Sequence, residues 1–322
     1  MRGGPGAPGL ARTEDDAGAA SSHMFPSVGA LEDRVAVITG AGRGIGREHA
    51  LRFAAEGASV VVNDLGGDWH GLGADAAPAQ LVAQEIQAGG GEAIANGEDV
   101  ADFEGARRLI EAAIERYGRL DVLVNNAGIL RDRFLVNMSV DEWDGVIHVH
   151  LRGHFSPLRH AAEHWRQRAK AGEEFDAAVI NTASPVGLTL PNLGQVNYAA
   201  AKAGIAALTQ VAAAELGRYG VRVNCIAPGA RTRMTVQTPG LEDMMAEPEE
   251  PDTFDRMDPG NVSPLVAYLA SDGCTEIGQV FAVSGGSVER LEGWRPSEQL
   301  LALDHRPTVQ EIAAAFSDAS VS

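Results

Sequence analysis

The chain has 322 residues, enough for one large α/β domain with appendages and too few for two large ones. A composition of 45% hydrophobic, 22% charged and 5% aromatic residues with 38 glycines excludes a wholly disordered or collagen-like protein. Lys and Arg total 26 against 44 Asp and Glu, a net charge of -18 that disfavours a nonspecific grip on a nucleic-acid backbone.

Residues 1–29, rich in Gly, Ala, Pro and Ser and without apolar periodicity, read as a disordered leader. Order is expected to begin with the β-branched run Val35 to Thr39, which stops at a glycine-rich turn and passes into a helix over Arg47 to Glu56. Strand and helix then alternate: strand Ser59 to Asn63, helix Ala79 to Ala88, strand Glu92 to Asn96, helix Phe103 to Tyr117, strand Asp121 to Val124. Ser139 and Glu142 form a capping-box pattern ahead of Trp143, Val146, Ile147 and Leu151. Strand Ala177 to Asn181, a long helix Asn197 to Tyr219, strand Val221 to Ile226, helix Ser263 to Ala270 and strand Gln279 to Val283 complete the alternation. Strands separated by helices imply parallel pairing, so the expected fold is α/β, a doubly wound parallel sheet of seven strands in a single domain over 30–287. Residues 288–322 form a C-terminal extension with Trp294 and a short helix near Val309 to Phe316, ordered enough to pack somewhere.

Cys225 and Cys274 lack CxxC or His spacing, so neither a disulfide scaffold nor a zinc site is indicated. The expectation is a cytoplasmic protein, since no run of 18 apolar residues and no secretory signal pattern occurs. His154, His160 and His164 include the i,i+4 spacing of a metal pair, but no third ligand is evident and no metal is expected.

Thr39-Gly-Ala-Gly-Arg-Gly-Ile-Gly46 joins the first strand to the first helix, where exposed N–H groups and the helix dipole favour a pyrophosphate. Gly40, Gly44 and Gly46 permit the turn, with Arg43 and Ile45 between them. Asp64 closes the second strand 18 residues after Gly46, where a carboxylate accepts from an adenosine ribose and repels a 2′-phosphate; it favours NAD, against the single contrary hint of Arg43.

The spacing TGxxxGxG resembles the short-chain dehydrogenase/reductase family. Asp99-Val100 resembles that family's adenine-contacting pair, Asn125-Asn-Ala127-Gly128 its NNAG turn, and Pro228-Gly229 the segment that clasps the nicotinamide, with Ile226 and Thr232 as implied contacts. The resemblance covers residues 31 to about 287.

Tyr198 and Lys202, four residues apart, share one face of the long helix. A free tyrosine, with a pKa of about 10, is a poor base near neutrality, but an adjacent ammonium and an oxidised nicotinamide would stabilise its phenolate. Ser184 would hydrogen-bond the substrate oxygen. It precedes Tyr198 by 14 residues, whereas the family usually has 13; that strict count selects Pro185, which has no hydroxyl, so a one-residue insertion between Gly187 and Gln195 is inferred. His150 stands where the family commonly has an Asn that anchors a water leading to the lysine, and an imidazole there could hold water or shuttle protons.

Asn63 to Asp68 with the insertion to Pro78, Asn125 to Arg133, His150 to His154 and Gly194 to Tyr198 together resemble the (3R)-hydroxyacyl-CoA dehydrogenase domain of peroxisomal multifunctional enzyme type 2 and its bacterial relatives, in which His at this position is usual. The resemblance implies NAD-linked oxidation of a 3-hydroxyacyl-CoA, or of a steroid or other bulky secondary alcohol, by a homodimer or homotetramer with no membrane or nucleic-acid partner. The arginines of Gly229 to Met234, with Arg131 and Arg133, either meet CoA phosphates or form intramolecular ion pairs. Thr235 to Pro259 reads as a mobile substrate lid with Met234, Met244, Met245, Phe254 and Met257 as apolar contacts. The rival readings are an NADPH-dependent 3-oxoacyl carrier-protein reductase, which Asp64 and the extension disfavour, and a non-catalytic dinucleotide-sensing regulator, which would be expected to have lost Tyr198 or Lys202.

Overall fold

The computed structural model describes residues 29–236, 245–248, 250, 253–293 and 302–319. The expected leader up to residue 28, Met244 and Trp294 lie outside the described residues.

Seven parallel strands alternate with helices. The strands are β1 (Val35–Thr39), β2 (Ser59–Asn63), β3 (Ala93–Asn96), β4 (Val122–Asn125), β5 (Ala177–Thr182), β6 (Val221–Gly229) and β7 (Val280–Ser284). Helices α1 (Gly44–Ala55), α2 (Ala77–Ala88), α3 (Phe103–Tyr117), α4 (Val140–Ile147), α5 (Gly153–Lys170), α6 (Val196–Leu216), α7 (Arg233–Val236) and α8 (Ser263–Ala270) follow in chain order, with α9 (Val309–Ala319) in the extension. The sheet order is β3-β2-β1-β4-β5-β6-β7, reversing at β1 and β4 as a doubly wound sheet must.

Side-chain alternation along each strand divides the core into two layers. Ile38, Val62 and Val124 face α1, α2 and α8, where Phe53, Val82 and Val266 cover them. Val37, Val61 and Leu123 face α3, α5 and α6, where Leu109, Trp165 and Ala213 meet them. Truncating a fully buried aliphatic residue such as Ile38 to Ala should cost about 2–5 kcal/mol. The helix termini obey local chemistry: Asp102 caps α3 by accepting from the Gly105 N–H, and Ser139 and Glu142 form the expected capping box on α4.

The strand count needs one correction. An eighth strand, β8 (Ser287–Leu291), pairs antiparallel with β7 and extends the sheet. Its sequence, Ser-Val-Glu-Arg-Leu, carries almost no apolar signal because the strand is an exposed edge. The expected boundary at 287 falls on its first residue. Thr308 and Glu311 cap α9 reciprocally, and Val309, Ile312 and Phe316 are exposed. Among the described residues no helix is long and apolar enough to cross a membrane.

Candidate active site

The strand ends that converge at the switch between β1 and β4 open into a cavity of about 440 Å³. Its floor is the glycine turn. A Cβ on Gly46 would lie 2.2 Å from the Gly40 carbonyl oxygen, so only glycine permits this approach. α1 starts at Gly44 without a side-chain cap, leaving its first N–H groups directed outward. Asn126 clamps the turn from the neighbouring strand end, donating from Nδ2 to the Thr39 and Gly40 carbonyls at 3.0 and 3.2 Å. Asp64 latches it from the other side, accepting from the Gly42 N–H at 2.8 Å on one oxygen and from the Gly66 N–H at 2.7 Å on the other.

The insertion after β2 crosses the cavity as a strap. The Leu130 N–H donates to the Trp69 carbonyl at 3.0 Å, and Arg131 Nε donates to the His70 carbonyl at 3.1 Å. Trp69 and Asp68 thereby become part of the wall. The strap and the segment after the NNAG turn then connect to the start of α6. Asn197, fully buried, donates from Nδ2 to the carbonyls of Arg131 (3.0 Å) and Glu142 (3.1 Å), and its Oδ1 accepts from the Tyr198 N–H at 2.7 Å. Gln195, also buried, donates to Asp132 at 2.7 Å.

Tyr198, Lys202, Ser184 and His150 all line this cavity. Lys202 Nζ donates to the Thr182 carbonyl at 2.6 Å and stands 5.4 Å from the Tyr198 ring centroid. Burial lowers its pKa to about 7. Burial likewise pushes the Tyr198 phenol up to about 12, opposed by its interaction with the Ser184 hydroxyl. Desolvation is the largest influence on the phenol and Lys202 does not offset it; the expected lowering rests on the ammonium together with an oxidised nicotinamide. Ser184 Oγ accepts from the Val186 N–H at 3.1 Å, while the Pro185 carbonyl turns away to accept from Leu188, Thr189 and Leu190 in a tight turn. The serine, not the proline, lines the cavity.

His150 sits in a five-residue π-turn (residues 148–152) between α4 and α5. Its Nε2 lies 2.7 Å from the Ile129 carbonyl oxygen, and its ring meets Tyr198 edge-on with centroids 5.2 Å apart. Burial, reinforced by the Lys202 charge, holds its pKa well below the usual value, so the ring is neutral. Nε2 stands against both the Ile129 N–H, 3.0 Å away, and the Ile129 carbonyl, so it accepts in one tautomer and donates in the other, and Nδ1, which has no partner among the described residues, is correspondingly donor or acceptor. In either tautomer Nδ1 can hydrogen-bond a water; a charge-carrying shuttle is disfavoured. Gly128 makes room for the ring, since a Cβ there would lie 2.4 Å from His150 Cε1.

Among the remaining sequence candidates, Gly40, Arg43, Gly44, Ile45, Gly46 and Asp64 line the cavity, as do Asp99, Val100, Ala127, Gly128, Pro228 and Thr232. Asn125, Gly229 and Ile226 do not. Asn125 points into the core, donating to Asn181 Oδ1 at 3.0 Å, and its neighbour Asn126 takes the place at the wall. Gly229 abuts Ser284 of β7, and Ile226 is fully buried in the core. The arginines also separate. Arg131 bonds the His70 and Asp141 carbonyls, Arg133 pairs with Glu142, and Arg231 pairs with Asp255 while its backbone N–H donates to the Met257 carbonyl. The ion-pair reading thus describes Arg133 and Arg231, and Arg131 is held by carbonyls. His160 bonds the Phe103 carbonyl, and no three metal-ligating side chains cluster among the described residues.

Residues 34–241 match the short chain dehydrogenase family model. The chain belongs to that family. This dehydrogenase is 47% identical over 265 residues to hydroxyacyl-CoA dehydrogenase ChsB1 of Mycobacterium tuberculosis, covering 80% of this chain and 79% of that one. It is 38% identical to peroxisomal multifunctional enzyme type 2 of Mus musculus over 87% of its own length but only 36% of the mouse protein's. A crystal structure of a short chain dehydrogenase from Mycobacterium avium superposes with a TM-score of 0.79 at 51% identity, covering 90% of this chain and 95% of that one. The chain is therefore an oxidoreductase acting on CH–OH groups, of a family that binds nicotinamide dinucleotides. The uncapped start of α1, the close glycine turn and the carboxylate of Asp64 fit such a cofactor.

Proposed function

We propose that this dehydrogenase oxidises a (3R)-hydroxyacyl-CoA, or a steroid-type secondary alcohol, with NAD. The observation that carries the reading is that one cavity runs from Asp64 and the glycine turn to Ser184, Tyr198 and Lys202. A bound nicotinamide dinucleotide supplies the hydride acceptor and, when oxidised, a positive charge beside the phenol. Tyr198 takes the alcohol proton, and Ser184 holds the substrate oxygen toward it. Lys202, fixed on the Thr182 carbonyl, is placed to hold the nicotinamide ribose. The neutral His150 offers Nδ1 to a water behind the phenol. The acyl-CoA substrate is supported by the name of the relative hydroxyacyl-CoA dehydrogenase ChsB1. Asp64 at the wall supports NAD, since a 2′-phosphate would meet its charge. Exposed Trp143, Phe155 and Val211 on α4, α5 and α6 support a homodimer or homotetramer.

A second reading, NADPH-dependent reduction of a 3-oxoacyl thioester, is favoured by Arg43 and Arg233 on the same wall. Initial rates with NAD and NADP on both enantiomers of a medium-chain 3-hydroxyacyl-CoA and on a 17β-hydroxysteroid separate the readings. Selective NAD-linked oxidation of the (3R)-thioester is expected; preference for NADPH would overturn the cofactor assignment, and activity on the steroid alone would overturn the thioester.

A further inference from the structure

His154, in the first turn of α5, is fully buried and stands off the cavity wall. Two strand ends fix its place. Its backbone carbonyl accepts from Asn125 Nδ2 at 3.3 Å, at the end of β4, and its Nε2 accepts from the Thr182 N–H at 3.3 Å, at the end of β5. β4 stops opposite Asn181, so Thr182 stands one residue beyond that ladder.

Thr182 also carries the acceptor for Lys202. Its carbonyl shares one planar trans peptide with the Ala183 N–H, which donates to the Ile226 carbonyl of β6 at 2.7 Å. The Thr182 oxygen therefore points the opposite way, to Lys202 Nζ at 2.6 Å. The ionisable groups around this ammonium are Tyr198, His150, His154 and Cys225. Burial keeps each of them neutral near pH 7. The ammonium thus rests on a neutral dipole, and the direction of the Thr182 carbonyl decides how well it is held.

We propose that His154 is a positioning residue for the reaction: by accepting from the Thr182 N–H it fixes the end of β5, and with it the carbonyl that holds the Lys202 ammonium beside Tyr198. The inference rests on the proposed roles of Lys202 and Tyr198 in alcohol oxidation. An imidazole suits the place because burial holds its pKa at about 3, so it presents an acceptor without setting a second positive charge against the ammonium. Removing the ring takes this acceptor from the Thr182 N–H and frees the strand end to turn.

The chain has only two lysines, the exposed Lys170 and Lys202, so carbon-13 labelling at lysine Cε reads the ammonium directly. Wild type, His154→Leu and His154→Gln, the last keeping a side-chain acceptor, are titrated by NMR without cofactor or substrate. In parallel, kcat and KM are measured on a medium-chain (3R)-hydroxyacyl-CoA with NAD. Thermal melting identifies the folded variants, and His154→Ala replaces His154→Leu if that protein does not fold. His154→Leu should move the Lys202 midpoint down by about one unit with Lys170 unchanged, because an ammonium whose acceptor has turned away is less favoured. The same variant should lower kcat about tenfold with KM within about twofold, and His154→Gln should recover most of both changes. An unmoved Lys202 midpoint in folded His154→Leu overturns the proposal, as do equal losses in His154→Leu and His154→Gln. If wild type does not oxidise the thioester, the functional reading fails, and the titration decides the role of His154 by itself.

Discussion

Lys202 Nζ and the Thr182 carbonyl oxygen are 2.6 Å apart, so the ammonium is fastened to the end of β5 while its helix also carries Tyr198. The bond fixes where the charge sits, and burial sets its proton affinity at about 7.

That burial has a stability consequence. The unfolded lysine titrates near 10.5 and the folded one near 7, so between these values the unfolded chain binds more protons and folding stability rises with pH. Below about pH 7 the fold carries the full cost of a buried ammonium. Lys202→Met should therefore raise Tm by roughly 5 °C at pH 6, abolish turnover, and lose its thermal advantage as pH approaches 10. Melting curves at pH 6, 8 and 10 check this; a Tm below wild type at pH 6 contradicts it.

Tyr198→Phe should lower kcat about 10³-fold while NADH affinity stays within about twofold, because only the proton-accepting oxygen is removed. In the wild type, a phenol pushed up to about 12 means that oxidation becomes faster as pH rises from 7 to 9. A pH-independent oxidation rate over that interval, in the absence of rate-limiting product release, would remove Tyr198 from the role of base.

Asp64→Ala should have two effects. The preference for NAD over NADP in kcat/KM should narrow, and the melting curve should show a loss of about 1–3 kcal/mol, because the Gly42 and Gly66 N–H groups lose their acceptor. Altered preference without destabilisation would mean that the latch on the glycine turn is energetically idle.

Asn197 is a positioning residue, touching Tyr198 only through its backbone. Asn197→Asp keeps the shape but faces a carboxylate with two carbonyl oxygens, and should reduce kcat by about 10²-fold with little change in dinucleotide affinity. Parallel losses in kcat and NADH binding would instead indicate general disruption of the fold.

Much of this architecture was readable from local pattern. The runs Val35–Thr39 and Phe103–Tyr117, the Ser139 cap and the helix Ser263–Ala270 stand where period and capping chemistry put them. The failures have a common cause, that the deciding contact is distant in sequence. Asn125 and Asn126 are indistinguishable as letters; the pleat sends one toward Asn181 and the other toward Thr39. Likewise Arg231 and Arg233 differ only because Asp255 comes back to meet the first. Asn197 was passed over because its partners are two backbone carbonyls, which no sequence motif records. For Tyr198, spacing reports which groups are neighbours and not how much water has been removed from them.

The reversal of direction at β8 decides where the polypeptide departs. Leu291 pairs with Val280, the first residue of β7, so the chain leaves the sheet at the end opposite the catalytic groups. Anything joined there starts from the rear of the enzyme, and the route by which reactants enter and leave need not be shared with it.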